Sequence, residues 1–454
     1  MLLGKSRKNN VMNWWVSSMQ RWAIGTLFSI LRSVLFCSVL FCSILLLSGC
    51  QTPPANQASS ANPDVIHLTL WHGINPPSNR DVFVKLVDEF NRTHTKVQVE
   101  QLYVGQADQQ LPKILTAVVG NASPDMLWFD SLLTGQLVEL EAIQPIEGWL
   151  NQSPLKADID PALFEGMELE GHLWSVPFTT SNLGIFYRPS LFQAAGITGL
   201  PETWEQFREV AQQLTRDTNG DGRPDQFGMV LPLGKGEWTV FSWLPFLFSA
   251  DGEMIQNNQP TLVNPGAIAA LDFWSNLLQD GSAILSQPER GYEQDDFIRG
   301  RVAMQITGPW TLGFLEETGI DFDVMPIPKA QTASTIVGGA NLFVMKTTPE
   351  REQAALEFLE YVLSEPFQVK WAIDTGALPI SLKARENPDY QAYIATQPVL
   401  NVFLEQMPSA RSRPNIPGYA RLSENLGKAI EETLLTHSPE TALQKAQRRL
   451  DLIW

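Results

Sequence analysis

The reading of the fold turns on residues 65–104, VIHLTLWHGINPPSNRDVFVKLVDEFNRTHTKVQVEQLYV. Residues 65–71 alternate apolar and polar side chains, the period-two pattern of a strand with one buried face. SNRDVFVKLVDEFNRT opens on a serine suited to capping a helix and then spaces its apolar residues along one helical face. KVQVEQLYV returns to alternation. A further helix near 107–119 precedes SPDMLWFD (123–130), a short apolar strand entered through a turn. Strands that alternate with helices imply a parallel, doubly wound sheet that takes its ligand at the carboxyl ends of its strands. Trp71 and Asp130 fall at two such ends.

The pattern continues along the chain. HLWSVPF (172–178), LGIFYR (183–188) and RVAMQIT (301–307) read as strands, and TWEQFREVAQQLTRD (203–217) and ALDFWSNLLQD (270–280) as amphipathic helices. ENLGKAIEETL (424–434) and SPETALQKAQRRLDLIW (438–454) close the chain as two more helices, the second capped by Ser438 with Glu440 close behind. With 454 residues, 44% apolar and 18% charged, the chain is globular and long enough for two domains.

The first fifty residues differ from the rest. Lys5, Arg7, Lys8, Arg21 and Arg32 are their only charges, and SVLFCSVLFCSILLLSGC follows as an apolar run that ends at Cys50. A basic start, an apolar stretch and a small-residue cleavage site form a secretory signal over 1–49, and the ending resembles the bacterial lipobox, in which Cys50 is the lipidated residue. QTPPANQASSANPD then reads as a flexible tether over 50–64. An uncleaved anchor is the other reading of the run. Either one places the folded part in the cell envelope, outside the cytoplasmic membrane. Cys37, Cys42 and Cys50 are the only cysteines, so the folded part has no disulfide and no thiol chemistry. Losing five basic residues leaves 27 of 32 Lys and Arg against 49 Asp and Glu, a net charge of −22. A body so acidic repels phosphate backbones and excludes nucleic acid as a partner.

Enzyme motifs are lacking. The five histidines have no metal spacing, and no nucleophile elbow occurs. GMVLPLGKG has five residues rather than four between its outer glycines, and Gly236 where a phosphate loop has Ser or Thr. No redox or nucleotide cofactor is expected. Glu237, Asp251, Asp295 and Asp296 need no role beyond solvation. DTNGDGRPDQFG (217–228) does suggest a metal: Asp217, Asn219, Asp221 and Asp225 occupy positions 1, 3, 5 and 9 of a calcium loop, the Arg223 carbonyl occupies position 7, and Gly228 stands where the bidentate Glu belongs. A structural Ca2+ clip and a metal-free Asn-Gly turn are both open. Tryptophans are frequent outside the helices, often beside Gly, Pro, Ser or Asp. Aromatic faces beside polar groups suit sugars, whose C–H patches stack while their hydroxyls are hydrogen-bonded.

MQITGPWTLGFL (304–315), IVGGANLFVM (336–345), TGALPI (375–380) and RPNIPGY (413–419), in this order, resemble the solute-binding proteins of carbohydrate ABC transporters, the group that includes maltose and glycerol 3-phosphate binders. The resemblance implies an α/β, two-lobed periplasmic-binding-protein fold. Each lobe is a doubly wound sheet with flanking helices, and the chain makes three hinge crossings, near 181, 330 and 374. The N-terminal lobe would comprise 65–181 and 330–373, and the C-terminal lobe 182–329 and 374–454. It implies a lipid-anchored monomer facing the periplasm that binds a small glycoside or disaccharide, of the sucrose, trehalose or glucosylglycerol type, and delivers it to the permease of an ABC importer.

By the same resemblance the ligand contacts are Trp71, Phe129, Asp130, Ser181, Trp310 and Gly339, joined by Trp238 and Trp243. The departures matter. Ala377 replaces the tyrosine of glycerol 3-phosphate binders, Ser423 falls where maltose binders have a tryptophan, and Arg411, Arg413 and Arg421 keep an anionic polyol open. The competing class is a secreted carbohydrate-active enzyme with two acids across its cleft, ~5 to 9.5 Å apart.

Overall fold

The computed structural model describes residues 65–454 apart from 76, 106, 234–236 and 287–291. The expected signal peptide, Cys50 and the tether lie outside the described residues. The elements that build the core run as β1 (Ile66–His72), α1 (Pro77–Thr93), β2 (Val97–Tyr103), α2 (Ala107–Val119), β3 (Met126–Phe129), β4 (Val176–Ser181), β5 (Gly184–Tyr187), α3 (Trp204–Leu214), β6 (Phe227–Leu231), α4 (Glu237–Ser249), α5 (Pro265–Gln279), β7 (Ala283–Leu285), β8 (Val302–Thr307), β9 (Asp323–Met325), β10 (Gly338–Val344), α6 (Pro349–Leu363), α7 (Glu365–Thr375), α8 (Val399–Gln406), α9 (Tyr419–Thr436) and α10 (Pro439–Leu450).

Local chemistry explains several boundaries. Thr203 and Gln206 form a reciprocal capping box at the start of α3, and Asn264 and Thr348 cap α5 and α6, each followed by a proline whose missing N–H costs the first turn nothing. Two expected caps are corrected. Helix α1 starts at Pro77, so Ser78 lies inside its first turn, and the Ser438 hydroxyl donates to the Thr436 carbonyl instead of capping α10.

Two five-stranded sheets result, in the orders β2-β1-β3-β10-β4 and β7-β6-β8-β5-β9. Both depart from the all-parallel expectation in the same way. Four strands run parallel and the fourth in order, β10 or β5, is antiparallel to its neighbours. The inverted strand in each sheet is the one next to a crossing: β4 leads through 182–183 straight into β5, and β9 leads back to β10. A direct passage between sheets delivers the strand from the opposite edge and so reverses it.

Helices α1 and α6 cover the first sheet, with α7 packed on α1; α3 lies on β6, α8 on β9, and α4, α5, α9 and α10 pack together beside the second sheet. The crossings are tied by a buried polar web. The Asn182 amide donates to the Phe403 carbonyl, Gln406 donates to the Leu183 carbonyl and accepts from the Ile327 N–H, and the Thr335 hydroxyl bonds both backbone groups of Leu183. Residues 376–396 stay with the first sheet: Leu378 bridges Thr180, Ser381 bridges Ile159, and the short helices Leu382–Glu386 and Pro388–Thr396 pack on α7. Among the described residues no helix is long and apolar enough to cross a membrane.

Candidate ligand cleft

The carboxyl edge of the first sheet carries Trp71, Asp130 and Ser181, and the antiparallel β10 brings Gly338 and Gly339 to it, Gly338 opposite Ser181. The corresponding edge of the second sheet carries Gly308 and Trp310 after β8, with the first turn of α4 beside them. Trp238 and Trp310 meet edge to face, ring centres 6.1 Å apart, and Phe241 lies 6.0 Å from Trp238. Trp310 folds back over its own strand end because residue 308 has no side chain; a Cβ there would lie 2.1 Å from the indole. Gly338 and Gly339 play the same part on the first sheet. A Cβ on Gly338 would lie 3.0 Å from the Phe241 ring, and Gly339, at φ +125°, would drive one to 2.2 Å from the Thr179 carbonyl.

Between the edges lies a charged network. Asp130 caps the turn at 131–133 with one oxygen, accepting from the Leu132 N–H, and with the other accepts from Arg413 Nη2 at 2.6 Å. The other arm of Arg413 reaches Glu237 at 3.4 Å, and the guanidinium lies 4.7 Å from the centre of the Phe241 ring. Glu237 also accepts from the Tyr419 hydroxyl at 2.5 Å and from the Ser423 hydroxyl; the two donors are four residues apart on α9 and share one helical face.

Burial pushes the Glu237 carboxyl up against the opposing pull of Arg413, Ser423 and Tyr419. It also raises the Tyr419 phenol, helped by the Glu237 charge, so that this hydroxyl stays a donor. Burial weakens the charge on Arg413, but Asp130 and Glu237 outweigh it and keep the guanidinium protonated. A small cavity opens against this arginine, lined also by Ser131, Thr179, Gly338, Gly339 and Ser412. The Thr179 and Ser412 hydroxyls have no hydrogen-bond partner among the described residues. Unpaired hydroxyls at a polar, charge-compensated wall are what a ligand rich in hydroxyl groups would satisfy.

Three sequence expectations are corrected. Trp243 is fully buried in the core with Phe246 and Trp274 neighbouring it in the same cluster, so it packs α4 and does not reach the cleft. Phe129 is buried with Leu127, Leu133 and Phe343. Trp71 stays at the carboxyl edge of the first sheet, half-buried against that same cluster. Glu237, read as a solvated acid, is a member of the central network. The spacing of Tyr419 and Ser423 on one face of α9 was the signal available for it.

Asp130 and Glu237 are two acids on either side of the cleft, the arrangement that an enzyme would require. Here both are tied to one arginine, and both oxygens of Glu237 accept hydrogen bonds.

Away from the cleft, residues 217–225 form an exposed loop built from Asx turns that leads into β6. Asp217 accepts from the N–H groups of Gly220, Asp221 and Gly222, Asn219 from Asp221, Asp221 from Arg223, and Asp225 from both the N–H and the hydroxyl of Thr218. No three acidic, His or Cys side chains converge as a metal site among the described residues. Gly228, at the position of the missing Glu, packs β6 against α3 so closely that a Cβ would lie 2.3 Å from the Ala211 carbonyl. The fold therefore excludes a side chain at position 12.

The sequence model of the bacterial extracellular solute-binding proteins matches residues 85–398. A maltotriose-binding protein of Pyrococcus abyssi is 22% identical over 376 residues, which cover 81% of this chain and 77% of that protein. The sn-glycerol-3-phosphate-binding periplasmic protein of Pectobacterium atrosepticum is 23% identical over 374 residues, 77% of this chain and 80% of that protein. The crystal structure of the cyclic alpha-maltosyl-1,6-maltose binding protein from Arthrobacter globiformis superposes with a TM-score of 0.76 at 23% identity, covering 86% of this chain and 98% of that one, and shares its two-lobed fold.

Proposed function

This chain belongs to the bacterial extracellular solute-binding proteins, binding proteins rather than enzymes, and from that premise we propose that it captures a small neutral glycoside or disaccharide in the cleft and delivers it to the permease of an ABC importer. The observation that carries the reading is the juxtaposition of the Trp238–Trp310 pair with the charge-compensated wall of Asp130, Arg413 and Glu237. The aromatic faces take the sugar's C–H surface, and the Thr179 and Ser412 hydroxyls, with the Gly339 backbone and Ser181, take its hydroxyls. Contacts from both sheet edges to one ligand favour the closed form, which the importer then recognises. The relatives named for maltotriose and for glycerol 3-phosphate bracket the ligand class. Arg411 is paired with Glu253, and Arg413 with two acids, which favours the neutral side of that bracket.

Further parts of the reading belong with it. The protein works as a monomer, lipid-anchored at Cys50 and facing the periplasm. The lobes exchange the chain near 181, near 330 and after 396, and the bridges of Leu378 to Thr180 and of Ser381 to Ile159 support the later third crossing. The 217–228 loop is a metal-free clip.

A thermal-shift screen of residues 51–454 against mono- and disaccharides, polyol glycosides and sn-glycerol 3-phosphate tests the function. A ligand at 100 times its Kd adds about 2.7 kcal/mol of stability. The expected result is a rise in Tm with a neutral glycoside and intact sugar afterwards by chromatography. Cleaved sugar, or no shift with any carbohydrate, overturns the reading.

A further inference from the structure

We propose that Glu237 is a specificity-determining residue, which together with Asp130 neutralises Arg413 and so makes the cleft refuse anionic ligands. The proposal rests on the cleft assignment above and concerns what that cleft rejects. Among the described residues Arg413 is the one cation that lines the cavity, and it is buried, so its charge is weakly screened and would be a strong anchor for a phosphate or carboxylate. Two acids from different parts of the fold, one following β3 and one opening α4, already occupy both arms of its guanidinium.

Glu237 is in turn held in place by Tyr419 and Ser423, so it cannot swing away from the arginine without leaving two buried donors unpaired. An incoming phosphate ester must therefore either displace a carboxylate or sit beside two of them. Hydroxyl groups carry no such penalty. The same fold would become an anion binder if one of the two carboxylates were made neutral.

The test uses isothermal titration calorimetry at low ionic strength with sn-glycerol 3-phosphate and inorganic phosphate as probes. Wild type is expected to bind neither measurably. Glu237→Gln, which keeps the shape and one acceptor oxygen for Tyr419 while its amide N–H donates to the Ser423 hydroxyl oxygen, and Asp130→Asn are each expected to raise affinity for the phosphate ester on the order of tenfold or more. Adding Arg413→Gln to either variant is expected to abolish the gain. Circular dichroism establishes that each variant is folded, and if Glu237→Gln is not, Asp130→Asn decides by the same criterion. Folded variants with no gain, or wild type that binds the ester as tightly as the variants, overturn the proposal. Wild type that binds no neutral carbohydrate, with variants that still gain the ester, instead overturns the assignment of a neutral ligand and leaves the role of Glu237 standing.

Discussion

Trp243 and Trp310 look alike in the sequence, each beside small or polar neighbours in the second half of the chain. Their environments separate them. Trp310 is half-buried at a strand end and meets Trp238, whereas Trp243 is at 0% exposure inside the core. Trp310→Ala is therefore expected to weaken carbohydrate binding about tenfold, about 1.4 kcal/mol, by calorimetry. Trp243→Ala is expected to destabilise the fold by about 3–5 kcal/mol in urea unfolding and to leave the affinity of the folded fraction unchanged. The reverse pattern would return Trp243 to the site. The difference was not legible in the sequence, because burial on the mostly apolar α4 depends on what packs against it, and that comes from α5 and α9.

Among the elements, the 217–228 segment holds itself through its own backbone. Its acids are spent on backbone N–H groups, and its twelfth position is needed for the contact between β6 and α3. Gly228→Ala is expected to cost about 1–3 kcal/mol by urea unfolding, since the new Cβ meets helix backbone. Calcium or a chelator is expected to leave Tm where it was; a clear rise with calcium would restore the metal reading.

The next link in this region, Asp280, holds α3 from the other side. Burial raises its carboxyl, but hydrogen bonds from Ser282, Arg208 and Gln212 outweigh that and hold it below the ordinary value of 3.8. A depressed folded value means that the stability is complete above that ordinary value and is lost as pH falls through the folded one. Asp280→Asn is accordingly expected to flatten the acid limb of a stability curve measured from about pH 6 down to about pH 3. An unchanged acid limb would show that the bonds to Arg208 and Gln212 carry no net stability.

For the molecule as a whole, the proposed closure would bring backbone from one sheet edge against rings from the other. Gly338 is where they meet, with Phe241 and the Ser181 hydroxyl both too near for a side chain. Gly338→Val is expected to wedge the edges apart: by small-angle scattering its radius of gyration should stay at the ligand-free value when sugar is added, while wild type contracts. Contraction of the variant equal to wild type would place the closing contact elsewhere.

The strand and helix alternation, the apolar faces, the aromatic strand ends and the four motif blocks that carry the family likeness can be read along the chain, because periodicity and turn chemistry are local properties. Which of these residues meet is set by the packing of distant segments. Asp130 and Arg413 are 283 positions apart, and Glu237 and Arg413 are 176 apart. They come together because each sheet takes its inverted strand from a crossing, which turns the two carboxyl edges toward one arginine, and no local pattern encodes that distance.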